Sequence, residues 1–192
     1  MTAREGRLPA GLVVRPLAAG DSIETMTALL HRGYAGLASM GFNYTAVDQD
    51  DGTTRRRASN GTCLVAVLDG RIVGTVTLAD PGRIDGTPCF EKPGVAVAGQ
   101  FAVEPGLQGR GVGAALMDAA ERLAVERGYA AVAGDTSEGA THLIAFYERR
   151  GYRVVERVRW EGKTYTSVVL EKRLAPNRRE GTPGPARPRA AS

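Results

Sequence analysis

Gln108-Gly109-Arg110-Gly111-Val112-Gly113-Ala114 joins a run with strand character to a run with helix character. Upstream, Val95–Val103 reads VAVAGQFAV, a nearly continuous apolar stretch stopped by Pro105-Gly106, which predicts a buried strand. Downstream, Gly111–Arg127 places Val112, Leu116, Ala119 and Leu123 on one face, with Gly128 just past the end. That pattern predicts an amphipathic helix closed by a C′ glycine. Glycines at 109, 111 and 113 leave backbone N–H groups uncovered by side chains. The first helical turn adds N–H groups without internal partners and the positive end of the helix dipole. A strand, such a loop and a helix together suit a phosphate or pyrophosphate, and Arg110 can add a charge-assisted contact.

Around this segment the chain alternates strands and helices. Leu12–Leu17 reads as a first strand. Asp21 followed by Glu24 is a capping-box pattern, and Ile23, Met26, Leu29 and Leu30 recur at helical spacing, so a helix is expected from Asp21. Gly33–Asn60 is polar and bears glycines, and its Arg55, Arg56 and Arg57 read most simply as a solvated face. Cys63–Leu68 and Arg71–Leu78 flank Asp69-Gly70, a strong hairpin signal. Ala79–Pro93 is a turn-rich connection. Tyr129–Ala133 reads as a short buried strand, Gly139–Arg150 as a second amphipathic helix, and Tyr152–Trp160 and Thr164–Glu171 as two strands about Glu161-Gly162-Lys163. The order predicts an α/β (α+β) fold, with a mixed central sheet of about six to seven strands flanked by helices.

Three nucleotide-binding patterns compete for the glycine segment. A dinucleotide fingerprint spaces its glycines G-x-G-x-x-G, whereas here the spacing is G-x-G-x-G, with no acidic ribose partner on a following strand. A P-loop requires Lys-Ser or Lys-Thr, which does not follow. The remaining pattern, Q/R-x-x-G-x-G/A, resembles the coenzyme-A loop of the GNAT acyltransferase superfamily. Leu143-Ile-Ala-Phe-Tyr-Glu-Arg-Arg-Gly-Tyr152 resembles that family's later helix, which ends in a tyrosine, three residues, a glycine and an aromatic. The two hairpins fall in matching order, and the resemblance covers most of residues 12–173.

The resemblance implies an N-acetyltransferase that moves an acetyl group from acetyl-CoA, as co-substrate, to a primary amine by direct attack. Acetyl-CoA would lie between the strand ending near Val103 and the one starting at Tyr129. Backbone groups of Phe101 and Val103 would pair with the pantetheine arm as an added strand does. Amides of Gln108, Gly109, Arg110, Gly111, Val112, Gly113 and Ala114 would hold the pyrophosphate. Tyr147 matches the position that protonates the departing thiolate, a suitable role for a phenol of pKa ~10; a core aromatic is its plainer reading. Ala140 stands where many relatives carry an asparagine toward the pantetheine arm. The motif strand has no carboxylate: Gln100 cannot take a proton, and Glu104, Asp135 and Glu138 are the nearby candidates, with no base assigned among them. A non-catalytic CoA-binding or regulatory module on the same fold is the alternative. The acceptor would be a small-molecule or peptide amine. Its loops, by the resemblance, would come from Gly33–Asn60, Ala79–Pro93 and the last hairpin, where Asp48, Asp50, Asp51, Asp80 and Asp85 could attract a cationic amine while Arg55–Arg57 would oppose it. Trp160 would border that site or simply pack.

Composition narrows the rest. Apolar residues make up 43% and charged residues 24% of 192, the balance of a globular chain. The net charge of +4 sits in residues 173–192, where five arginines face Glu180; the remainder holds 20 basic and 20 acidic side chains. The high pI is therefore a property of the tail and not a sign of specific nucleic-acid binding. Residues 1–10 are read as a flexible N-terminus, 11–173 as the acetyltransferase domain, and 174–192 as a disordered basic Pro/Arg tail. No run of ~20 apolar residues predicts a membrane span. Cys63 and Cys89 are too few for a zinc site or a disulfide framework, so a metal-free cytoplasmic protein, monomer or homodimer, is expected. His31 and His142 lack partners at metal spacing and read as structural or surface residues.

Overall fold

The computed structural model describes residues 8–84 and 86–175. Seven strands, β1 (Val13–Pro16), β2 (Gly61–Leu68), β3 (Arg71–Ala79), β4 (Val95–Val103), β5 (Ala131–Ser137), β6 (Arg153–Val158) and β7 (Ser167–Arg173), form one sheet in the order β1-β2-β3-β4-β5-β7-β6. Five α-helices pack on it: α1 (Ile23–Ser39), α2 (Asp51–Ala58), α3 (Pro88–Glu91), α4 (Val112–Glu126) and α5 (Thr141–Arg149). The mixed α/β architecture expected from the alternation is observed.

Strand alternation builds a core on each face. Leu64, Ala66, Val76 and Leu170 meet Leu116, Met117 and Ala120 of α4 and Tyr147 of α5, while Cys63, Val65 and Ala102 meet Met26 and Leu30 of α1. A cluster of Glu121 with Arg150, Lys172 and the Tyr152 hydroxyl ties α4 to the end of α5 and to β7.

The boundaries differ from expectation at several places. The cap of α1 is Ser22, which accepts from the Thr25 N–H. Asp21 instead holds Arg15 through two hydrogen bonds of 2.6 and 2.8 Å and accepts from the Ala18 N–H. The region after Gly33 is ordered into the rest of α1 and α2, and the turn-rich connection contains α3, whose Cys89 and Phe90 are buried. Strand β5 runs on to Ser137, because Gly134-Asp135, a turn signal in isolation, pairs in register with Leu170 and Val169 of β7. Leu174 packs on the core and donates to the Ala130 carbonyl, so ordered structure passes Arg173. The expectations for residues 1–7 and 176–192 lie outside the described residues.

One sheet feature positions everything functional. β4 and β5 are the parallel pair, and they pair only from Val95↔Ala131 to Val97↔Ala133. Beyond that point β4 continues along β3 to Val103, and β5 continues along β7 to Ser137. The sheet therefore opens between two strands that each keep one satisfied edge. The β3–β4 register is also irregular there, with Gln100 in the left-handed region at φ 47°. That conformation is costly for a side-chain-bearing residue. Gln100 is held in it by hydrogen bonds from Gln49 Nε2 to its Oε1 (2.9 Å) and from its Nε2 to the Thr54 carbonyl (3.3 Å).

Candidate active site

On one side of the opening lies the glycine segment. Glu104 donates its N–H to the Val73 carbonyl. By strand alternation the backbone groups of Phe101 and Val103 then point away from β3, into the opening. Gln108 is tied to the same edge, its Nε2 donating to the Val103 carbonyl at 3.2 Å. Gly109 and Gly111 take φ of 71° and 81°, which turns the chain sharply into α4. The helix starts at Val112, one residue later than expected, with no side-chain cap on its first turn. The first helical bond is donated by Ala115 to the Gly111 carbonyl, so the N–H groups of Val112, Gly113 and Ala114 have no intrahelical acceptor. The Val112 side chain is in the core and can offer only its backbone, whereas Arg110 is exposed beside the turn. A Cβ on Gly113 would stand 3.1 Å from Phe101 Cζ, so any side chain there would press on the Phe101 ring where α4 closes on β4.

Tyr147 stands at the far end of α5, buried with 6% of its surface exposed. Its ring lies 6.4 Å from Phe101 and 5.4 Å from both Phe146 and Tyr152, centroid to centroid. It is thus the core aromatic of the plainer reading. Its hydroxyl, however, has no hydrogen-bond partner among the described residues. Burial drives its pKa up, and nearby Tyr34, Asp135 and Tyr44 push in the same direction, so the phenol stays protonated. Ala140 is fully buried at the N-terminus of the helix and offers no side-chain cap.

On the other side of the opening is a cavity of about 270 Å³ lined by side chains from α1, α2, β5 and the β6–β7 hairpin. Tyr34, Tyr44 and Tyr165 form its aromatic wall, with Tyr44 4.7 Å from Tyr165 and 5.3 Å from Tyr34 between centroids. Burial raises the Tyr34 pKa to about 12. The Tyr44 hydroxyl is fixed by the Ser137 N–H at 2.6 Å and Thr136 Oγ1 at 3.0 Å. Asp135, Arg57, Trp160 and Lys163 supply the polar lining and the rim.

Of the three nearby carboxylates, this geometry keeps one. Glu104 forms an ion pair with Arg32 at 2.9 Å, which holds its carboxyl below the usual range, and Glu138 pairs with Arg157 at 2.8 Å on the surface. Asp135 alone lines the cavity. Its Oδ2 accepts from Trp160 Nε1 at 2.9 Å and Ser167 Oγ at 2.8 Å, while Oδ1 has no partner among the described residues. Asp135 lies two residues past the last β4–β5 pair, at the point of divergence. Trp160 both borders the site and packs, its ring stacked on Phe90 at 6.2 Å.

The aspartates expected to draw a cationic amine do not reach the cavity. Asp50 caps α2, Asp80 pairs with Arg127, and Asp48 and Asp51 are exposed; Asp85 lies outside the described residues. The arginine run is only partly a solvated face. Arg55 and Arg56 are exposed, but one turn of helix carries Arg57 inward to the cavity, where Nη1 donates to Gln49 Oε1. The sequence noted Arg57 only as one of three arginines on a solvated face, and Lys163 and the three tyrosines were not singled out, since their segments carry no periodic motif; the only signal was that these segments would supply acceptor loops. His31 Nε2 bonds the Gln49 backbone carbonyl at 2.8 Å, a structural role, and His142 is exposed. Among the described residues no cluster of three His, Cys, Asp or Glu is placed to hold a metal, and no helix is long and apolar enough to cross a membrane.

The model of the GNAT acetyltransferase family matches residues 26–152, from within α1 to the turn after the Tyr147 helix. The chain belongs to that family. This acetyltransferase is 28% identical over 160 residues to the S-(2-succino)cysteine N-acetyltransferase of Bacillus subtilis (strain 168), an alignment that spans 82% of this chain and 94% of the relative. Its fold is shared with the Escherichia coli N-acetyltransferase of a ribosomal-protein alanine (TM-score 0.65, 14% identity, 89% of this chain and 99% of that one). It is shared also with a GNAT acetyltransferase from Elizabethkingia anophelis crystallised with acetyl-CoA (TM-score 0.62, 17% identity, 86% and 100%). The enzyme is an N-acetyltransferase by family.

Proposed function

We propose that this acetyltransferase binds acetyl-CoA along the β4 side of the opening and a small amine in the cavity on the other side, and joins them by direct attack. One observation carries the reading: an uncapped glycine turn and a polar cavity meet at the same break in the sheet, with Tyr147 buried beside it. The amides of residues 108–114 take the pyrophosphate, and the backbone of Phe101 and Val103 takes the pantetheine arm. That the Elizabethkingia protein of the same fold was crystallised with acetyl-CoA supports acetyl-CoA as the co-substrate. A small acceptor is favoured over a polypeptide by the size of the cavity, and the Bacillus relative is named for a substituted cysteine.

The chemistry then distributes among the residues that line the opening. An ammonium loses one proton to solvent and the free amine enters beside Asp135. The nitrogen lone pair forms the N–C bond as the C–S bond breaks toward sulfur. The nitrogen gives its second proton to Asp135 Oδ1, and the departing thiolate takes the Tyr147 proton. Return of the Asp135 proton to the phenolate through water restores both groups, and one proton is released overall. Asp135 supplies the base that the motif strand lacks. Two buried free cysteines, Cys63 and Cys89, support a reducing, cytoplasmic setting.

Free-thiol release from acetyl-CoA over a panel of amines tests this directly. Asp135→Asn keeps an acceptor for Trp160 and Ser167 but cannot take a proton, and it should lower kcat by about 100-fold with unchanged acetyl-CoA affinity. A variant within twofold of wild type, with chemistry limiting, would remove Asp135 as the base.

A further inference from the structure

Apart from Arg57, the described arginines of this chain are either paired with a carboxylate or exposed to water. Arg15, Arg32, Arg127, Arg150 and Arg157 each pair with a carboxylate between 2.6 and 2.9 Å. Arg57 is different. It is half-buried in the cavity, donates to the neutral Gln49 amide oxygen, and has no carboxylate within ion-pair reach among the described residues. Lys163, across the cavity on the β6–β7 hairpin, also bonds only neutral oxygens, the Asn43 carbonyl at 2.8 Å and Thr45 Oγ1 at 3.1 Å. Removal from water lowers the pKa of both. A charge taken out of water without a partner is costly, and the cost is recovered when an anion arrives.

The balance of charge indicates which anion. Among the lining residues Arg57 and Lys163 stand against Asp135, while Asp48 acts on Lys163 from outside the lining, so Arg57 is the cation left without a counter-charge. An amine with one carboxylate carries a single negative charge in its reactive, neutral-amine form, which supplies that counter-charge. The two ends of such a molecule also find different partners. The amine belongs at Asp135 Oδ1, beside the divergence of β4 and β5, and the carboxylate belongs at the guanidinium, whose fork matches it. The tyrosine wall takes the apolar remainder, and about 270 Å³ suits an amino acid more than a peptide segment.

We propose that the acceptor is a small amine of the amino-acid class, bound through its carboxylate by Arg57 with Lys163 in support, and that Arg57 sets acceptor specificity. This rests on the cavity being the acceptor site. The test is kcat/KM by thiol release for a panel of L-amino acids, each beside its own primary carboxamide and compared at equal free-amine concentration. The acids should exceed the carboxamides by at least about tenfold, the value of a charge-assisted pair. Arg57→Gln should raise KM for the acids about 10- to 100-fold, with a far smaller effect on the carboxamides and none on acetyl-CoA affinity by calorimetry. Arg57→Lys should restore part of the loss. Equal turnover of acids and carboxamides by the wild type overturns the carboxylate inference alone, and needs no variant to fold. Equal loss of both classes in Arg57→Gln overturns it too. If neither class reacts while acetyl-CoA binds, the acceptor-site reading falls and this inference with it.

Discussion

A phenol packed in the core and proposed as a proton donor must separate its two roles by atom. The Tyr147 ring is packed against three aromatic neighbours, while its hydroxyl bonds nothing among the described residues. Tyr147→Phe therefore keeps the packing and removes a proton donor that stability does not use. We expect kcat to fall about 100-fold, with melting temperature and acetyl-CoA affinity close to wild type. A drop in melting temperature with normal kcat would reduce Tyr147 to its packing role. The tyrosine was legible as a candidate because it closes a recognisable helix motif. Arg57 was not, because three consecutive arginines read alike until a helix turns one of them inward.

At the scale of elements, two junctions can be tested. The first turn of α4 offers amides without a cap, and Gly113 leaves them open beside Phe101. Gly113→Asp would place a side chain 3.1 Å from that ring and a negative charge where the pyrophosphate is read to sit. Acetyl-CoA dissociation constants by calorimetry should rise about 100-fold or more, from lost charge complementarity and lost space; an unchanged constant in a folded variant would detach the loop from the cofactor. The second junction ties β1 to α1. Arg15 holds the Asp21 carboxyl at a pKa of about 2 through paired hydrogen bonds, below the ~3.9 of an unfolded aspartate. Its contribution is present above pH ~4 and is lost as pH falls from there through about 2, since protonation is easier in the unfolded chain. Asp21→Asn should flatten that part of the melting-temperature profile between pH 5 and 2. An unchanged acid limb would show the pair to be energetically silent. The sequence reading placed Asp21 at the helix start but gave it the cap, because Asp and Ser are both good caps and sit side by side.

For the molecule as a whole, the opening in the sheet demands that its two halves be held from outside the gap. One brace is the Glu121 side chain, 12% exposed, which meets Arg150 at 2.9 Å, Lys172 at 2.5 Å and the Tyr152 hydroxyl at 3.2 Å. Glu121→Ala leaves two cations and a phenol without their shared acceptor. It should destabilise the protein by about 3 kcal/mol, read from the urea midpoint with an unchanged m-value. A loss below about 0.5 kcal/mol would place the cluster among exposed pairs that contribute little.

Periodicity and turn chemistry determined the strands, the order of the major helices and the glycine turn, because each is set by neighbours in the chain: alternation in β4, the heptad-like face of α4, Asp69-Gly70 between β2 and β3. The family resemblance was legible for the same reason, since both its motifs are contiguous. The cavity was decided only by tertiary structure. Its lining comes from residues 34, 44, 57, 135, 160, 163 and 165, which no local pattern links. β5 outran its expected end because β7 pairs with it, so Asp135 became a strand residue facing a cavity and not a loop carboxylate. Charge that looked solvated in sequence acquired its meaning from what the fold withheld from it, a counter-ion for Arg57.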